Sequence, residues 1–184
     1  MKNVVLKRAV IAALPLMIAL LLFMPGNAES KDKAKALKIS VSKGELKINK
    51  VKFSFPWTYE MFEKALGKSD RIYKGSNDIH TYDEKGIILY QKPGTPTVSD
   101  FNIYFNLKEN YKFTPQSIFS GEFYIEGVRV DQNLSLEELK KKLPQYNFKE
   151  SLIGSYKGEY KGVYFYIDYN ESQTEIIYIS CGKK

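Results

Sequence analysis

Two stretches of this chain, GELKINKVKFSFPWTYEMFEKALG at residues 44–67 and GEFYIEGVRVDQNLSLEELKKKLP at residues 121–144, have the same layout. A shift of 77 positions aligns them without a gap, and after one deleted residue a shift of 76 continues the alignment. The matched pairs include Gly44 with Gly121, Ile48 with Ile125, Val51 with Val128, Tyr90 with Tyr166 and Ile103 with Ile179. Shared turns, apolar positions and helix starts at one period indicate a tandem duplication. We therefore expect the shared features to be scaffold, and function to lie where the halves differ.

Local patterns predict the same order of elements in both halves. Val51, Phe53 and Phe55 alternate with polar residues, which is typical of a half-buried strand. Ser135 and Glu138 form a capping-box pattern before a leucine stripe, and Thr58 is the expected cap in the first half. The predicted strands are 45–48, 51–55, 79–83, 87–92 and 100–106, then 122–125, 128–131, 155–160, 162–169 and 174–181. The predicted fold class is α+β, with two tandem ββαβββ repeats whose antiparallel sheets each carry one short helix.

The N-terminal segment has the order of a secretory signal peptide. Three basic residues precede an uncharged apolar run at residues 9–24, and small residues follow up to Ala28. The run is shorter than the roughly 18–20 residues of a membrane span. We predict a signal peptide at residues 1–28, cleavage after Ala28, and a location in the periplasm or outside the cell. An uncleaved N-terminal anchor is the alternative.

The remaining chain divides by composition. Residues 29–38 are charged and are predicted to be a solvated spacer, followed by repeat one at 39–106, a linker at 107–116 and repeat two at 117–182. Without the signal segment the chain keeps 25 basic and 21 acidic residues, a net charge of +4. That modest charge does not indicate nucleic-acid binding. A membrane contact is expected only if the signal segment is retained.

Catalytic and metal-binding patterns are missing from the sequence. One histidine and one cysteine leave no zinc motif and no room for an internal disulfide, and we expect no cofactor and no enzymatic activity. The densest polar group is Asp78, His80 and Tyr82, which alternation places on one strand face. We favour a solvated sheet face for this row over a ligand-contact row. A hydrolase that uses His80 is the least favoured alternative.

Five further residues are candidates for binding. Trp57 precedes the first helix and is either a lid on the core, which we favour, or an interface anchor. Pro93 and Thr95 lie in a Pro/Gly loop, and such loops often carry recognition. Tyr164 and Tyr166 share one face of a strand, and we favour packing of that face under the helix or on repeat one over a platform for a protein or a sugar.

A block of short motifs resembles a family of exported bacterial proteins. It consists of RIY at residues 71–73, NDI at 77–79, DEKGI at 83–87 and KPGT at 92–95. The family is known only as a domain of unknown function, so the resemblance implies an uncharacterised exported domain and transfers no active-site residue. In architecture alone, a secreted tandem α+β pair is similar to the β-lactamase inhibitor proteins.

These observations favour an exported, non-enzymatic protein-binding module. Its most specific form is an inhibitor or immunity protein against a secreted effector, gripping another protein with a sheet face and the repeat-one loops. One alternative is a structural or assembly factor of the cell envelope, held to the inner membrane by an uncleaved signal segment. A second alternative is the binding of a small ligand or a glycan.

Overall fold

The computed structural model describes residues 36–108 and 111–184. The predicted signal peptide and most of the predicted spacer lie outside the described residues. The described helices and strands, in chain order, are β1 (Lys38–Ser42), β2 (Glu45–Ile48), β3 (Val51–Phe53), α1 (Tyr59–Leu66), β4 (Arg71–Tyr73), β5 (Asp78–Tyr82), β6 (Ile87–Gln91), β7 (Val98–Tyr104), β8 (Glu122–Ile125), β9 (Val128–Val130), α2 (Leu136–Lys142), β10 (Lys149–Leu152), β11 (Ser155–Tyr160), β12 (Val163–Tyr169) and β13 (Ile176–Lys183). Short 3₁₀ turns follow β5 and α2.

The strands form two sheets, and both halves of the chain contribute to each. The smaller sheet has the order β3-β2-β1-β8-β9, and the larger has the order β10-β11-β12-β13-β7-β6-β5-β4. Among the described strand pairs, β1 and β8 are parallel and the others are antiparallel. The last strand of each half, β7 and β13, meet at the centre of the larger sheet, where Ile103 faces Ile179. The two halves therefore share their sheets and do not form separate domains.

One core lies between the two sheets, and both helices contribute to it. Phe123 of the smaller sheet packs edge-on against Phe165 of the larger one, with ring centroids 6.3 Å apart. From α1, Phe62 reaches Phe101 at 5.6 Å. Tyr169 of β12 donates from its hydroxyl to the carbonyl oxygen of Leu134, just before α2. We call the side of the larger sheet that faces this core its inner face, and the opposite side its outer face.

The connection between the halves packs across part of the outer face. Arg71 makes two hydrogen bonds to the Asp83 carboxylate, at 2.6 and 2.7 Å, and donates to the carbonyl oxygens of Lys112 and Thr114. The Thr81 hydroxyl donates to another carbonyl oxygen of the same segment. Because these contacts satisfy backbone carbonyls that would otherwise be unpaired, they fix residues 111–116 over β4 and β5. The outer face beside β11 and β12 remains partly exposed.

The predicted α+β class and the antiparallel sheets are confirmed. The predicted strand at 155–160 matches β11, and the Ser135 capping box is present with both of its hydrogen bonds. The predicted three strands after each helix are wrong in number, because four are present in each half. β1 begins at Lys38, the last residue of the predicted spacer, and Leu37 packs against the core.

Candidate binding face on the larger sheet

A group of tyrosines lies on the outer face of the larger sheet. The pairing registers place Tyr164 opposite Gly182, Gly182 opposite Asp100, and Asp100 opposite Tyr90. In the next row Lys157 faces Tyr166 and Tyr166 faces Ser180. Directly paired residues point to the same side of a sheet. We call this surface the tyrosine face and define it by Tyr90, Asp100, Lys157, Tyr164, Tyr166 and Ser180.

Asp100 is the carboxylate at the centre of the tyrosine face. Its Oδ2 atom accepts a hydrogen bond of 2.7 Å from the Ser99 hydroxyl. Burial raises the pKa of Asp100 above its usual range, and hydrogen bonds from Ser99 and Ser180 partly oppose that increase. Asp100 is half-buried as a residue, and its carboxylate is poorly solvated.

Tyr164 lies over a glycine that leaves space for its ring. A Cβ atom on Gly182 would come within 2.9 Å of the Ser99 carbonyl oxygen and would overlap the hydroxyl end of Tyr164. The absence of a side chain at Gly182 thus allows the ring to lean from β12 towards Asp100. Burial, and then the nearby Asp100 charge, raise the pKa of Tyr164 to about 12. Tyr164 is consequently a neutral hydrogen-bonding group at physiological pH.

Lys157 places a cation against the same aromatic rings. Its Nζ atom lies 5.0 Å from the ring centroid of Tyr166 and 5.7 Å from that of Tyr164. These distances are within the range of cation–π attraction. The two rings meet edge to face, with centroids 5.8 Å apart. A hydrogen bond with Tyr166 raises the pKa of Lys157, so the ammonium group stays charged.

Four of the residues singled out from the sequence lie in positions open to contact. Tyr164 and Tyr166 are half-buried on the tyrosine face, and Pro93 and Thr95 are exposed in the loop between β6 and β7. The Thr95 hydroxyl donates to the Lys92 carbonyl oxygen, which closes the turn of that loop. Because the loop leads into β7 shortly before Asp100, it lies at the rim of the tyrosine face.

Trp57 is not an interface anchor. Its side chain is 1% exposed, and its ring packs against Phe62 and Phe101 at centroid distances of 6.5 and 5.9 Å. The favoured interpretation as a lid on the core is confirmed, and the assignment of Trp57 to a binding surface is wrong. The physical reason is that a bridge between Thr58 and Thr97 draws the segment onto the inner face.

The row of Asp78, His80 and Tyr82 is neither solvated nor available to a partner. His80 and Tyr82 are buried on the inner face, while Asp78 at the strand end pairs with Lys74 at 2.6 Å. The expected solvated face and the proposed contact row are therefore both wrong. The alternation was read correctly, but α1 covers this face. The Tyr59 ring of α1 stacks on His80 at 4.0 Å.

His80 occupies a closed polar cluster under α1. Its Nε2 atom is 2.6 Å from Oε1 of Gln91, and its Nδ1 atom is 3.4 Å from the Ser69 hydroxyl. Burial lowers the pKa of His80. Gln91 also donates to the Thr95 carbonyl oxygen, so the cluster supports the base of the β6–β7 loop. These contacts give His80 a role in stability.

Two shallow depressions of about 410 and 220 Å³ lie beside α2, away from the tyrosine face. Among residues 36–108 and 111–184, no three His, Cys, Asp or Glu side chains are grouped closely enough to hold a metal ion. Within the same residues, no helix has the length and apolar character needed to cross a membrane.

Sequence reasoning missed Asp100, Ser180 and Lys157 as members of the candidate site. The only local signal for Asp100 was its alternation with Phe101 and Ile103, which placed it on one side of a strand. That pattern could not show which tyrosines would share its side. The β7–β13 pairing, between residues about 80 positions apart, brings them together.

The chain belongs to a family described as "Domain of unknown function (DUF7738)", which matches residues 38–140. The match covers more than half of the chain and extends from β1 into α2. The resemblance to a family of unknown function is thereby confirmed. No curated protein matches this chain.

Three solved structures show distant similarity in fold. An extracellular protein containing an SCP domain from Bacillus anthracis is 9% identical, with a TM-score of 0.46, over 69% of this chain and 43% of that one. A DUF4309 family protein (YjgB) from Bacillus subtilis is 16% identical, with a TM-score of 0.45, over 77% and 89%. A cysteine-rich secretory protein (SAV1118) from Staphylococcus aureus is 13% identical, with a TM-score of 0.36, over 69% and 44%. This chain spans less than half the length of the first and third proteins, and the similarities carry no functional conclusion.

Proposed function

We propose that this protein is an exported, non-enzymatic binding module that recognises another protein through the tyrosine face. The observation that carries the proposal is the half-buried pair Tyr164 and Tyr166 beside the poorly solvated Asp100. Tyrosine contributes a large rigid contact area and a hydroxyl at low cost in conformational entropy, and it is enriched at the energetic centres of protein interfaces. An inhibitor or immunity protein against a secreted effector is the specific form that we propose.

The shape of this surface favours a macromolecule over a small ligand. Small-molecule sites are usually enclosed cavities of about 300–1,000 Å³. The tyrosine face is built across five neighbouring strands, β11, β12, β13, β7 and β6, and the two depressions described above lie beside α2. A broad sheet face of this kind suits the extended contact of a protein partner.

The asymmetry between the halves also supports this location. Both halves contribute strands to the outer face, β5 and β6 from the first half and β11 and β12 from the second. On the first-half side, Ile88 and Thr81 are fully buried, and the linker is bonded to Thr81. On the second-half side the tyrosines keep part of their surface in solvent. The outer face is therefore exposed beside the second-half strands, where a partner could bind, and covered beside the first-half strands.

We infer that the two halves arose by tandem duplication. Ile103 and Ile179, which the sequence alignment equates, face one another across the β7–β13 pair. The same alignment equates Asn102 with Tyr178 and Tyr104 with Ser180. It therefore turns the neighbouring pair Asn102–Ser180 into the pair Tyr178–Tyr104. This register is expected for two copies related by a two-fold axis at that pair. Alignment of the two halves across many homologues checks the inference, and halves no more alike than unrelated α+β units would contradict it.

Export is part of the proposal. The order of charged, apolar and small residues in the first 28 positions supports a signal peptide cleaved after Ala28, with the protein acting in the periplasm or beyond the cell. N-terminal sequencing of the protein purified from its host tests this. A chain that starts at Glu29 supports export, and a chain that retains the apolar run favours the membrane-anchored alternative.

Affinity capture from envelope and secreted fractions tests the binding function. The full chain, expressed with its own N-terminus and an affinity tag, is the bait, and mass spectrometry identifies what it retains. We expect one stoichiometric protein that resists high salt. We further expect the double variant Tyr164→Ala, Tyr166→Ala to lose it.

A matched variant controls for the loss of any exposed tyrosine. Tyr111→Ala removes a tyrosine that is 53% exposed on the linker, where its ring stacks on Phe113. This control should retain the partner. Circular dichroism must show that both variants remain folded. Retention of the partner by the folded double variant would refute the proposed surface, and capture of glycans alone would refute protein recognition.

A further inference from the structure

The tyrosine face presents hydrogen-bond acceptors and an uncompensated carboxylate. Asp100 takes part in none of the ion pairs among the described residues. Its hydrogen bonds come from the neutral hydroxyls of Ser99 and Ser180. Two residues along the same strand, the buried Oδ1 atom of Asn102 has no hydrogen-bond partner in the part of the chain that the structure describes. Buried acceptors usually have donors, so Asp100 lacks an ionic partner and the Asn102 amide oxygen lacks a donor among the described residues.

We propose that Asp100, with the rings of Tyr164 and Tyr166, forms a site for an arginine side chain carried by the protein partner. This inference rests on the proposed function and specifies what the tyrosine face recognises. The carboxylate supplies the opposite charge, and the two rings supply surfaces on which a planar cation stacks.

The chemistry of the site favours arginine over other partner groups. A guanidinium group pairs with a carboxylate in a fixed planar geometry, stacks on aromatic rings and is more weakly hydrated than an ammonium group. Removal of Asp100 from bulk water strengthens its attraction for a cation. An anionic partner group would be repelled by Asp100, and a purely apolar group would leave the carboxylate buried without compensation.

Lys157 shows that the aromatic part of the site already attracts a cation. Its ammonium group rests over both tyrosine rings, although it forms no ion pair with Asp100. An incoming guanidinium would compete with Lys157 for the rings and would also gain Asp100. Removal of the Lys157 charge should therefore strengthen the binding of an external cation, whereas removal of the Asp100 charge should weaken it.

A pair of small probes tests the inference without a known partner. N-acetyl-arginine amide carries the guanidinium group, and N-acetyl-citrulline amide is a neutral analogue of nearly the same shape. The full chain, labelled with ¹³C in its tyrosine rings, is titrated with each probe and followed by NMR. Tyr164→Phe and Tyr166→Phe variants assign the two signals.

We expect the arginine probe to shift the Tyr164 and Tyr166 signals with saturation in the millimolar range, and the citrulline probe to bind roughly tenfold more weakly or not at all. Asp100→Asn should lose the preference for arginine, and Lys157→Gln should bind the arginine probe several-fold more tightly. Equal responses to both probes, or an unchanged arginine response in Asp100→Asn, would overturn the inference.

Acidification of the unmodified protein provides a measurement that does not depend on a variant folding. Protonation of Asp100 removes its charge, so the preference for arginine should disappear as the pH falls through the raised pKa of Asp100. The titratable groups that neighbour Asp100 are Tyr90, Tyr164 and Cys181. Burial raises the pKa values of Tyr164 and Cys181, so both stay neutral as the pH falls. A preference that persists in folded protein at low pH would contradict a role for Asp100.

Affinity capture with Asp100→Asn separates this inference from the proposed function. Loss of the partner from this variant, together with loss of the arginine preference, supports both. Retention of the partner by Asp100→Asn, with loss from the Tyr164→Ala, Tyr166→Ala variant, would keep the binding face and refute recognition of arginine. Retention of the partner by both variants would refute the face itself.

Discussion

Replacement of Gly86 by alanine should be far more damaging than the same change at Gly127. Both glycines have positive φ, 64° and 81°, and both directly precede a strand. A Cβ atom on Gly86 would lie 2.3 Å from the backbone nitrogen of Phe119 and 2.6 Å from the carbonyl carbon of Ile118. A Cβ atom on Gly127 would meet nothing within 4 Å. Comparison of the two variants therefore separates the free-energy cost of the left-handed backbone from the cost of the clash with Ile118 and Phe119, which lie just after the linker.

The expected size follows from these two effects. A left-handed conformation costs a residue with a side chain roughly 1–2 kcal/mol, and both variants have this cost. At Gly86 the clash is with main chain that cannot rotate away, and overpacking of this kind adds about 1–3 kcal/mol. Relief of the clash would also disturb the 2.7 Å hydrogen bond from Phe119 N–H to the Tyr104 carbonyl oxygen. We expect Gly86→Ala to lose about 2–5 kcal/mol of unfolding free energy and Gly127→Ala about 1–2 kcal/mol.

Urea denaturation of the two variants and the unmodified protein, followed by tyrosine fluorescence and circular dichroism, measures the difference. The slope of free energy against urea concentration should be the same for all three, because the surface exposed on unfolding does not change. Equal losses at Gly86 and Gly127, within about 0.5 kcal/mol, would refute the argument that the segment after the linker is held against the turn at Gly86.

Three further changes test other parts of the structure. Ser135→Ala removes a side-chain cap with both capping-box bonds and should lower the unfolding free energy by about 1 kcal/mol. Thr58→Ala should lower it less, because Thr58 makes no side-chain cap bond. Equal losses of unfolding free energy in urea denaturation would contradict this. His80 is the only histidine, and burial lowers its pKa, so the folded state binds fewer protons than the unfolded state. The contribution of His80 to stability should be fully present above about pH 6.5 and should fall as the pH drops towards its pKa in the folded state. The unfolding free energy of His80→Gln should therefore change less than that of the unmodified protein between pH 7.5 and 5. Identical dependence on pH in the two proteins would refute this. Arg71→Met leaves the Asp83 carboxylate without its cation and should cost about 3 kcal/mol, and the double variant with Asp83→Asn should recover part of that loss; an additive double variant would show that the pair does not interact.

The half-buried ion pair between Arg71 and Asp83 also explains why the two sides of the outer face differ. Arg71 holds the linker over the first-half strands through Lys112 and Thr114. Within the described residues, no segment is hydrogen-bonded across the outer face of β11 and β12 in the same way. Tyr164 and Tyr166 stay partly exposed there. The position of the linker therefore leaves the second-half side of the outer face more exposed than the first-half side, where Ile88 and Thr81 are buried.

Local sequence determined those elements whose pattern is repeated within a few residues. The strand Ser155–Tyr160, the cap at Ser135 and the positive φ at Gly86 were all predictable, because alternation, capping and turn chemistry act between near neighbours. The strands Lys38–Ser42, Arg71–Tyr73 and Lys149–Leu152 were not predicted. Arg71–Tyr73 is three residues long and Lys149–Leu152 is exposed throughout, so neither carries a hydrophobic period that could be recognised. Lys38–Ser42 does alternate, with Ile39 and Val41 buried, and that signal was missed.

Tertiary structure decided which face of each strand is buried and which residues share a site. The sequence placed His80 and Tyr82 on one side of a strand, but only the packing of α1 made that side the interior. It paired Tyr164 with Tyr166, but only the β12–β13–β7 order placed Asp100 beside them. Alternation fixes relative orientation within a strand, whereas burial and neighbours depend on contacts between residues far apart in the chain, and these contacts create the tyrosine face.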